Sequence, residues 1–371
     1  MKINKEWIHK NFKLIIIVAV IIAAIAVIEL RKPSAESQTI NIPDSEKALM
    51  YPKAKELVGI SGYINTDNKE IKISDVIGKK VILLDIWTYT CINCQRTLPY
   101  ITSWHEKYKD QGLEIIGIHT PEFEFEKKLD NVKKAVNQFN IKYPVVLDND
   151  RATWNAYQNQ YWPRKYLIDI DGYIVYDHAG EGAYEETEQK IQELLQERAE
   201  KLDISKNEKG KLSTQLVNIT PQTTFARSPE TYFGAWRNNN FGNGAQFKEG
   251  IQTLTIPKEI KGNILYLDGT WNITQESAKS TQTGDKIVFF YYAKNVYMVA
   301  RSDSSTSVPV RVYVDKDLAE ESAGKDVTKG NIVIVNEDRL YEIVNHKEAG
   351  PHVLVLDVQE PGLDIFTFTF G

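Results

Sequence analysis

The chain has 371 residues, which is more than one ordinary domain needs, so two or three domains are expected. Hydrophobic residues make up 42% and charged residues 26% of the composition, which is typical of a globular protein. The net charge of -5 and the sequence pI near 5.8 provide no basic surface, so no nucleic acid partner is expected.

An apolar run at 14–28 follows a series of lysines at the N-terminus. A helix over this run rises about 22 Å, and extending it to 12–30 matches a hydrocarbon layer of about 30 Å, with Lys13 and Glu29 at the two interfaces. No small-x-small cleavage site follows, which favours an uncleaved signal anchor over a cleaved signal peptide, and a buried core helix is the third alternative. The lysines predict a single-pass protein of the cytoplasmic membrane, with its N-terminus inside and the rest of the chain outside.

The sequence predicts five successive segments. Residues 1–33 form a cytoplasmic stub and the transmembrane anchor, and the polar, proline-containing residues 34–54 form a tether. Alternating strand and helix patterns cover 55–201. The charged residues 202–217 form a linker, and strand-like runs separated by turn signals occupy 218–371.

The first folded domain alternates between short apolar runs and amphipathic segments. Strands are predicted at 81–87, 113–119, 143–147, 165–170 and 173–177, the last two as a hairpin around Asp171-Gly172. Helices are predicted at 94–109, 126–139, 151–157 and 185–201. A central sheet covered by helices on both faces is the economical α/β arrangement for this order.

The second folded domain has strand patterns without a convincing helix. About eight short strands are predicted, at 252–256, 264–267, 286–292, 296–300, 308–314, 331–335, 352–357 and 365–370. Their spacing indicates an all-β sandwich or jelly roll.

Both cysteines of the chain, Cys91 and Cys94, lie in one Cys-x-x-Cys motif, where a buried strand ends and a helix begins. A structural disulfide here closes a very short loop and stabilises little. A closed zinc site needs four ligands, and the histidines are too scattered to complete one. A redox pair is therefore favoured, because the helix N-terminus favours a Cys91 thiolate and Cys94, one turn later, can act as the resolving thiol.

Asp85 lies on the buried strand, before Cys91 and on the same pleat face as Trp87. Burial raises the pKa of such a carboxyl group. Asp85 is therefore predicted to accept or donate a proton for Cys94 when a mixed disulfide is resolved. The alternative is that its carboxylate only binds neighbouring backbone.

The pattern Asp-x-Trp-x-x-x-Cys-x-x-Cys, followed by Pro99, resembles the active-site segment of thioredoxins. The strand and helix inserted before the hairpin are similar to the TlpA/ResA-like branch of that family. Two motifs, Trp-Thr-Tyr-Thr-Cys-Ile-Asn-Cys at 87–94 and Tyr-Trp-Pro-Arg-Lys-Tyr-Leu-Ile-Asp at 161–169, resemble the thioredoxin domain of DipZ-type thiol:disulfide interchange proteins.

The second domain resembles the same DipZ-type family. The motifs that carry the resemblance are Ser-Pro-Glu-Thr-Tyr-Phe-Gly, Gly-Lys-Asp-Val, Arg-Leu-Tyr and the closing Pro-Gly-Leu-Asp-Ile-Phe-Thr-Phe-Thr-Phe-Gly, at 228–234, 324–327, 339–341 and 361–371. The resemblance implies a thioredoxin fold followed by a β jelly roll that is similar to carbohydrate-binding modules.

The resemblance also implies roles for residues outside the cysteine pair. Pro163 corresponds to a cis-proline that faces the pair and helps to bind the substrate backbone, and Trp162 shapes the substrate groove. Trp87 would lie beside the pair and contact substrate. The segment that begins at His119 and includes Glu122 resembles a family segment that brings one of these residues near the active site, and the alternative is a structural loop.

The predicted function is membrane-anchored, extracytoplasmic thiol:disulfide exchange through Cys91 and Cys94. The intervening Ile92-Asn93 contains no histidine to stabilise a thiolate as in the strongly oxidising DsbA, so a reductant is predicted. The expected partners are thiols and disulfides of proteins or small molecules, and no cofactor or metal is expected. DipZ-type proteins carry a multi-helix CcdA-like domain where this sequence has one predicted anchor, so a separate CcdA-like electron donor is expected.

Two other functions compete with this prediction. Thr88 and Cys91 match the Thr-x-x-Cys motif of peroxiredoxin-like thiol peroxidases, although Leu84 occupies the position of the expected proline. Alternatively, the second domain binds glycan or protein, and the first domain is only a scaffold. Aromatic residues that could stack on sugar rings, but are more typical of a sandwich core, are Trp236, Trp271, Tyr232 and Tyr292.

Overall fold

The computed structural model describes residues 44–67, 69–204, 215–219, 225–303, 307–315 and 322–371. The predicted anchor at 12–30 and the first part of the predicted tether lie outside these residues. Across the described ranges, no helix is both long and apolar enough to span a membrane. Residues Asp44–Gly371 group into one compact unit, which contains both predicted folded domains.

The described part of the first domain is built on a sheet with the strand order β1-β4-β3-β2-β5-β6. Its strands are β1 (Gly62–Ile64), β2 (Val81–Trp87), β3 (Leu113–His119), β4 (Val145–Leu147), β5 (Arg164–Ile168) and β6 (Ile174–Ala179). The strands β2, β3 and β4 are parallel to one another, whereas β1, β5 and β6 run antiparallel to their neighbours.

Helices cover both faces of this sheet, which confirms the predicted α/β arrangement. They are α1 (Asp44–Met50), α2 (Ile73–Val76), α3 (Ile92–Tyr108), α4 (Leu129–Gln138), α5 (Ala152–Ala156) and α6 (Tyr184–Lys201). One apolar cluster joins one face of the sheet to α3, α4 and α6, and a second joins the other face to α2 and α5.

The central strand β2 is buried along its whole length. Leu83 and Trp87 belong to the cluster under α3 and α6, whereas Leu84 and Ile86 belong to the cluster on the opposite face. Because side chains alternate along a strand, Asp85 shares the face of Leu83 and Trp87. That alternation brings the carboxyl group of Asp85 under the N-terminal part of α3.

The tether prediction is wrong for the residues from Asp44 onwards. Helix α1 buries Lys47, whose Nζ donates to Asp169 Oδ2 at 2.7 Å and to Asp171 Oδ2 at 3.1 Å. Lys47 also forms an ion pair with Glu197 of α6. A buried ammonium group is tolerated only when carboxylates neutralise it, so this segment is fixed to the first domain rather than free.

The predicted linker at 202–217 is also attached to the first domain at its described end. The backbone N–H of Val217 donates to Glu188 Oε2 at 2.8 Å. Val217 and Ile219 pack against the apolar cluster under α3, and the hydroxyl of Tyr100 donates to the carbonyl of Ile219 at 3.3 Å. The middle of the linker, 205–214, lies outside the described residues.

The second domain is all-β in the residues described, as predicted. Its strands are β7 (Thr231–Tyr232), β8 (Gly250–Leu254), β9 (Leu265–Ile273), β10 (Ala278–Ser280), β11 (Lys286–Ser302), β12 (Val308–Val314), β13 (Val327–Thr328), β14 (Ile332–Val335), β15 (Arg339–Val358) and β16 (Leu363–Phe370). They pair in the order β13-β14-β12-β15-β11-β16-β10-β9-β8, with β7 on β16 and an additional pairing of β11 with β9.

Several strand predictions in this domain need correction. The runs at 286–292 and 296–300 are one continuous strand, β11, because both halves pair with the long strand β15. The three-residue strand β10 and the two-residue strands β7 and β13 were not predicted, since such short segments show no periodicity. The candidate sugar-stacking Trp271 is wholly buried in the core of this domain, whereas Trp236 is 62% exposed.

The two domains share an apolar interface. Tyr297, Val299, Leu340 and Phe366 of the second domain belong to the same buried cluster as the side chains under α3. The ring centroid of Phe366 is 5.0 Å from that of Phe123 and 4.8 Å from that of Phe125, both in the loop after β3. The second domain therefore packs against the loop that follows β3.

Candidate functional site

Cys91 caps the N-terminus of α3. Its Sγ accepts a hydrogen bond from the backbone N–H of Cys94 at 3.4 Å, and both thiols are free. Strand β2 ends at Trp87 and the helix begins at Ile92, so the intervening turn positions Cys91 where the helix dipole favours a negative charge. Cys91 is partly exposed, so its thiol is accessible to a reactant.

Arg96 adds a positive charge near Cys91 that the sequence analysis did not predict. Its guanidinium lies close enough to interact electrostatically with Cys91, and it is held by Glu181 Oε2, which accepts from Nε at 2.8 Å. Arg96 Nη2 also donates to Asn93 Oδ1 at 2.5 Å, which fixes the residue between the cysteines. Arg96 lies one helical turn after Ile92, and from this spacing its position near Cys91 could have been predicted.

Cys94 lies one turn further along α3 and is only 1% exposed. Burial raises the pKa of its thiol well above the ordinary value, and the adjacent Cys91 raises this pKa further. A thiol in this position remains protonated at neutral pH unless a nearby base removes the proton. The two sulfurs are therefore suited to different tasks, with Cys91 accessible and Cys94 protected.

Asp85 is buried on the face of β2 that carries the cluster around Cys94. Burial raises the pKa of its carboxyl group to about 7, and the nearby ammonium of Lys165 opposes this rise. Asp85 Oδ1 has no hydrogen-bond partner among the described residues. A carboxyl group with this pKa can exchange a proton close to neutral pH, and proton transfer with Cys94 stays a prediction.

Lys165 is the charged partner of Asp85 and was not predicted. The two residues are directly opposed across the antiparallel strands β2 and β5. Lys165 is fully buried, and burial lowers its pKa to about 8, against the influence of the Asp85 carboxylate. Lys165 lies two residues before the buried Leu167 and so on the same inward face of the strand. Its burial could have been predicted from this spacing.

Trp87 lies close to the site, but the prediction that it contacts substrate needs correction. Its side chain has no exposed surface, and its ring packs edge-on against His119 with centroids 5.3 Å apart. A substrate in contact with Cys91 therefore cannot reach the indole in this conformation. Trp87 forms part of the apolar floor below the cysteine pair.

The structure agrees with the predicted cis-proline, because the peptide bond between Trp162 and Pro163 is cis. The Trp162 ring packs against Trp154 with centroids 4.2 Å apart and ring planes tilted by 40°, and its Nε1 donates to the carbonyl of Thr120 at 3.0 Å. Trp162 lines the cavity around Cys91, whereas Pro163 is buried immediately before β5.

For the segment from His119 to Glu126, the prediction was that either His119 or Glu122 lies near the active site, with a structural loop as the alternative. Glu122 lines the same cavity as Cys91. His119 is fully buried beside Tyr89, and burial lowers its pKa to about 3, so the imidazole is neutral and remote from reactants. The carboxylate of Glu126, which was not predicted, accepts from the hydroxyls of Thr88 and Thr90, both at 2.6 Å.

The cavity around Cys91 has a volume of about 290 Å³ and lies between the two domains. Residues of the first domain in its wall include Cys91, Glu122 and Trp162, and residues of the second include Glu230, Tyr232 and Arg237. Arg237 Nη1 donates to Glu122 Oε1 at 2.6 Å across the domain boundary. The sequence contained no signal for this shared wall, because its two halves lie far apart in the chain.

Comparison with known proteins agrees with this geometry. Residues 42–195 match the family described as Redoxin, and 228–371 match the family described as thioredoxin like C-terminal domain. The thiol-disulfide oxidoreductase ResA of Bacillus cereus is 31% identical over 151 residues, which cover 41% of this chain and 82% of ResA. This chain belongs to the thioredoxin-like thiol-disulfide oxidoreductases.

The oxidoreductase is also similar to protein DipZ of Mycobacterium bovis, with 34% identity over 319 residues that cover 86% of this chain. It spans 43% of the length of DipZ. The predicted resemblance to DipZ-type proteins is thereby confirmed. Among solved structures, the solution structure of a thioredoxin-like protein in its oxidised form is 26% identical and covers 40% of this chain and 97% of its own, with a TM-score of 0.37.

The pKa of Asp85 predicts how the oxidoreductase resolves a mixed disulfide. A nitrothiobenzoate group loaded on Cys91 is released when Cys94 attacks, and this release requires deprotonation of Cys94. Asp85 is protonated below pH 7 and cannot accept that proton, so we expect the release rate to fall as the pH drops through about 7. The rate is measured by stopped-flow absorbance of the released thiolate.

Two substitutions test this assignment. Asp85→Asn should slow release by at least about tenfold and remove the inflection near pH 7, because the carboxylate that accepts the Cys94 proton is lost. Lys165→Met should shift the inflection to higher pH, since the Lys165 ammonium holds the Asp85 pKa down. The control Glu114→Gln, at a peripheral ion pair with Lys80, should change neither value. An unchanged rate and inflection in Asp85→Asn would rule out Asp85 as the base.

Proposed function

We propose that this oxidoreductase exchanges disulfides through Cys91 and Cys94 and acts as a reductant. The observation that carries the proposal is the arrangement of three groups: an accessible sulfur at a helix N-terminus, a buried thiol one turn later, and a buried carboxyl group with a pKa near 7. Each of these groups takes part in one of the two steps of dithiol–disulfide exchange.

In the first step, the Cys91 thiolate attacks one sulfur of a substrate disulfide. The substrate S–S bond breaks, a mixed disulfide forms on Cys91, and the other substrate sulfur leaves as a thiolate. In the second step, Cys94 loses its proton to Asp85 and attacks Cys91 Sγ. The second substrate sulfur is released as a thiolate, and the protein retains a Cys91–Cys94 disulfide that another reductant must reduce.

A reducing direction is supported by the groups around the pair. The dipeptide between the cysteines contains no histidine that would stabilise the reduced form strongly, as in DsbA. The ionised Asp85 carboxylate lies near the buried Cys94 and disfavours a second negative charge there. Both features favour loss of electrons from the dithiol to a substrate.

The location in the cell is part of the same proposal. The lysine-flanked apolar run at 14–28 supports a membrane anchor, with both folded domains on the extracytoplasmic side. A CcdA-like membrane protein is then the proposed electron donor, and thiols or disulfides of proteins or small molecules are the proposed substrates. The relatives named ResA and DipZ support the chemistry of exchange.

A thiol peroxidase is less well supported. In that reading, Thr88 would assist Cys91 with its hydroxyl group. The hydroxyl of Thr88 is buried and donates to Glu126 Oε1 at 2.6 Å, and its other neighbour is His119 Nε2 at 3.4 Å. Because of these contacts, the Thr88 hydroxyl stabilises the turn before the helix and is not available to a peroxide.

Trapping separates the roles of the two cysteines. We expect Cys94→Ser to retain a substrate as a mixed disulfide on Cys91, because no resolving thiol remains. Cys91→Ser, the matched control, should retain none, since its remaining thiol is buried. Both variants are expressed in cells, and their mixed disulfides are detected by mass spectrometry under non-reducing conditions. Equal adducts on both variants, or none on either, would contradict exchange through this pair.

The reduction potential tests the direction. We expect the Cys91–Cys94 couple to equilibrate with a thioredoxin-like reference near about -270 mV rather than near the DsbA value of about -120 mV. The potential is measured by mass spectrometry after equilibration in dithiothreitol or glutathione buffers. A value at the DsbA end would show that the couple is an oxidant.

A further inference from the structure

Tyr232 of the second domain lies between two carboxyl groups in the cavity around Cys91. Its hydroxyl oxygen is 2.9 Å from Glu122 Oε1 and 2.7 Å from Glu230 Oε2. A phenol has one hydrogen and can donate it to one carboxylate only. The two carboxyl groups therefore compete for a single hydrogen, and protonation of one of them removes the repulsion between two negative charges.

The surrounding charges decide which carboxyl group holds the hydrogen. Arg237 Nη1 donates to Glu122 Oε1 at 2.6 Å, and the guanidinium lies over the Tyr232 ring, 3.7 Å from its centroid. Glu122 therefore has a cationic partner, whereas Glu230 has only the Tyr232 hydroxyl as a hydrogen-bond donor among the described residues. Of the two carboxyl groups, Glu230 is the one that is more readily protonated.

The electrostatic surroundings of Glu230 agree with this order. Burial of its carboxyl group and the negative charge of Glu122 raise the pKa of Glu230 to about 7, while Tyr232 and Arg237 oppose the rise. The Glu230 side chain as a whole is exposed at the protein surface, which allows its carboxyl group to exchange protons with solvent. Glu230 and Cys91 both line the cavity of about 290 Å³.

We propose that Glu230 is a catalytic acid that protonates the sulfur expelled when Cys91 attacks a substrate disulfide. This inference rests on the proposed function and assigns to the second domain a part in its first step. Cys91 forms a bond to one substrate sulfur, the substrate S–S bond breaks, and the electron pair goes to the leaving sulfur. Glu230 transfers its proton to that thiolate and becomes a carboxylate, and solvent then reprotonates it.

The proton transfer is favourable for alkyl thiols. An alkyl thiol of the cysteine type has a pKa near 8.5, above that of Glu230, so the proton moves to the stronger base. Aryl thiolates with low pKa values leave readily without a proton. The dependence of rate on the leaving group therefore distinguishes an acid from a residue that only shapes the cavity.

The test compares two disulfides with the reduced full chain under single-turnover conditions at pH 6. The alkyl substrate is 2-hydroxyethyl disulfide, and the aryl substrate is 5,5′-dithiobis(2-nitrobenzoate). Glu230→Gln should react at least about tenfold more slowly with the alkyl disulfide and within about twofold of wild type with the aryl one. Above about pH 8 the difference should disappear, because Glu230 is then ionised in the wild type.

The control is Glu360→Gln, which removes another exposed glutamate of the second domain, in the turn between β15 and β16. This variant should match wild type with both substrates. Equal slowing of both disulfides by Glu230→Gln, or no slowing of either, would overturn the assignment of Glu230. A wild-type chain that reacts with neither disulfide would instead overturn the proposed function, so the two failures are distinguishable.

Discussion

The loop from Glu122 to Glu126 makes the contacts on which the rest of the site depends. Phe123 and Phe125 pack against Phe366 and hold the second domain in place. Glu122 accepts from Arg237 in the cavity wall, and Glu126 accepts from the threonines of the turn before Cys91. One short loop thus connects the second domain, the cavity and the turn that positions Cys91.

Burial determines the accessibility of the two cysteines and the pKa values of the charged groups near them. Cys91 and Cys94 are separated by one helical turn, but only Cys91 reaches the cavity. Asp85 and Lys165 lie opposite each other in the protein interior, where burial brings their pKa values to about 7 and about 8. Groups with pKa values near neutrality can exchange protons without a large free-energy cost. Asp85 and Lys165 can therefore exchange protons with a neighbouring group inside the protein.

Local sequence patterns were sufficient to predict the fold of the first domain and the position of the two cysteines at a helix N-terminus. The apolar run of β2 predicted a strand buried on both faces, and the Cys-x-x-Cys motif at its end predicted the thiols at a helix N-terminus. The cis peptide bond before Pro163 agreed with the family resemblance. Alternation along β2 also gave the face of Trp87, but neither alternation nor the family resemblance that implied a contact with substrate could give the depth of the indole, which is fully buried.

Contacts between distant parts of the chain were not predictable in the same way. The pairing of Asp85 with Lys165 depends on strand register, and the burial of Lys47 depends on carboxylates that lie more than a hundred residues away. The contribution of Tyr232 and Glu230 to the cavity depends on domain packing. A single sequence carries no periodic signal for any of these contacts, because each is specified by the complete fold.

Alkylation of the reduced chain tests most directly the claim that the cysteines have separate roles in a cavity closed by both domains. The protein is treated at neutral pH with iodoacetamide or with a bulky iodoacetyl dye, and the modified residues are mapped by mass spectrometry over time. We expect iodoacetamide to modify Cys91 at least about tenfold faster than Cys94, and the bulky reagent to be markedly slower at Cys91 than in the unfolded chain. Equal modification of the two thiols, or a Cys91 that reacts with the bulky reagent as fast as in the unfolded chain, would contradict this account.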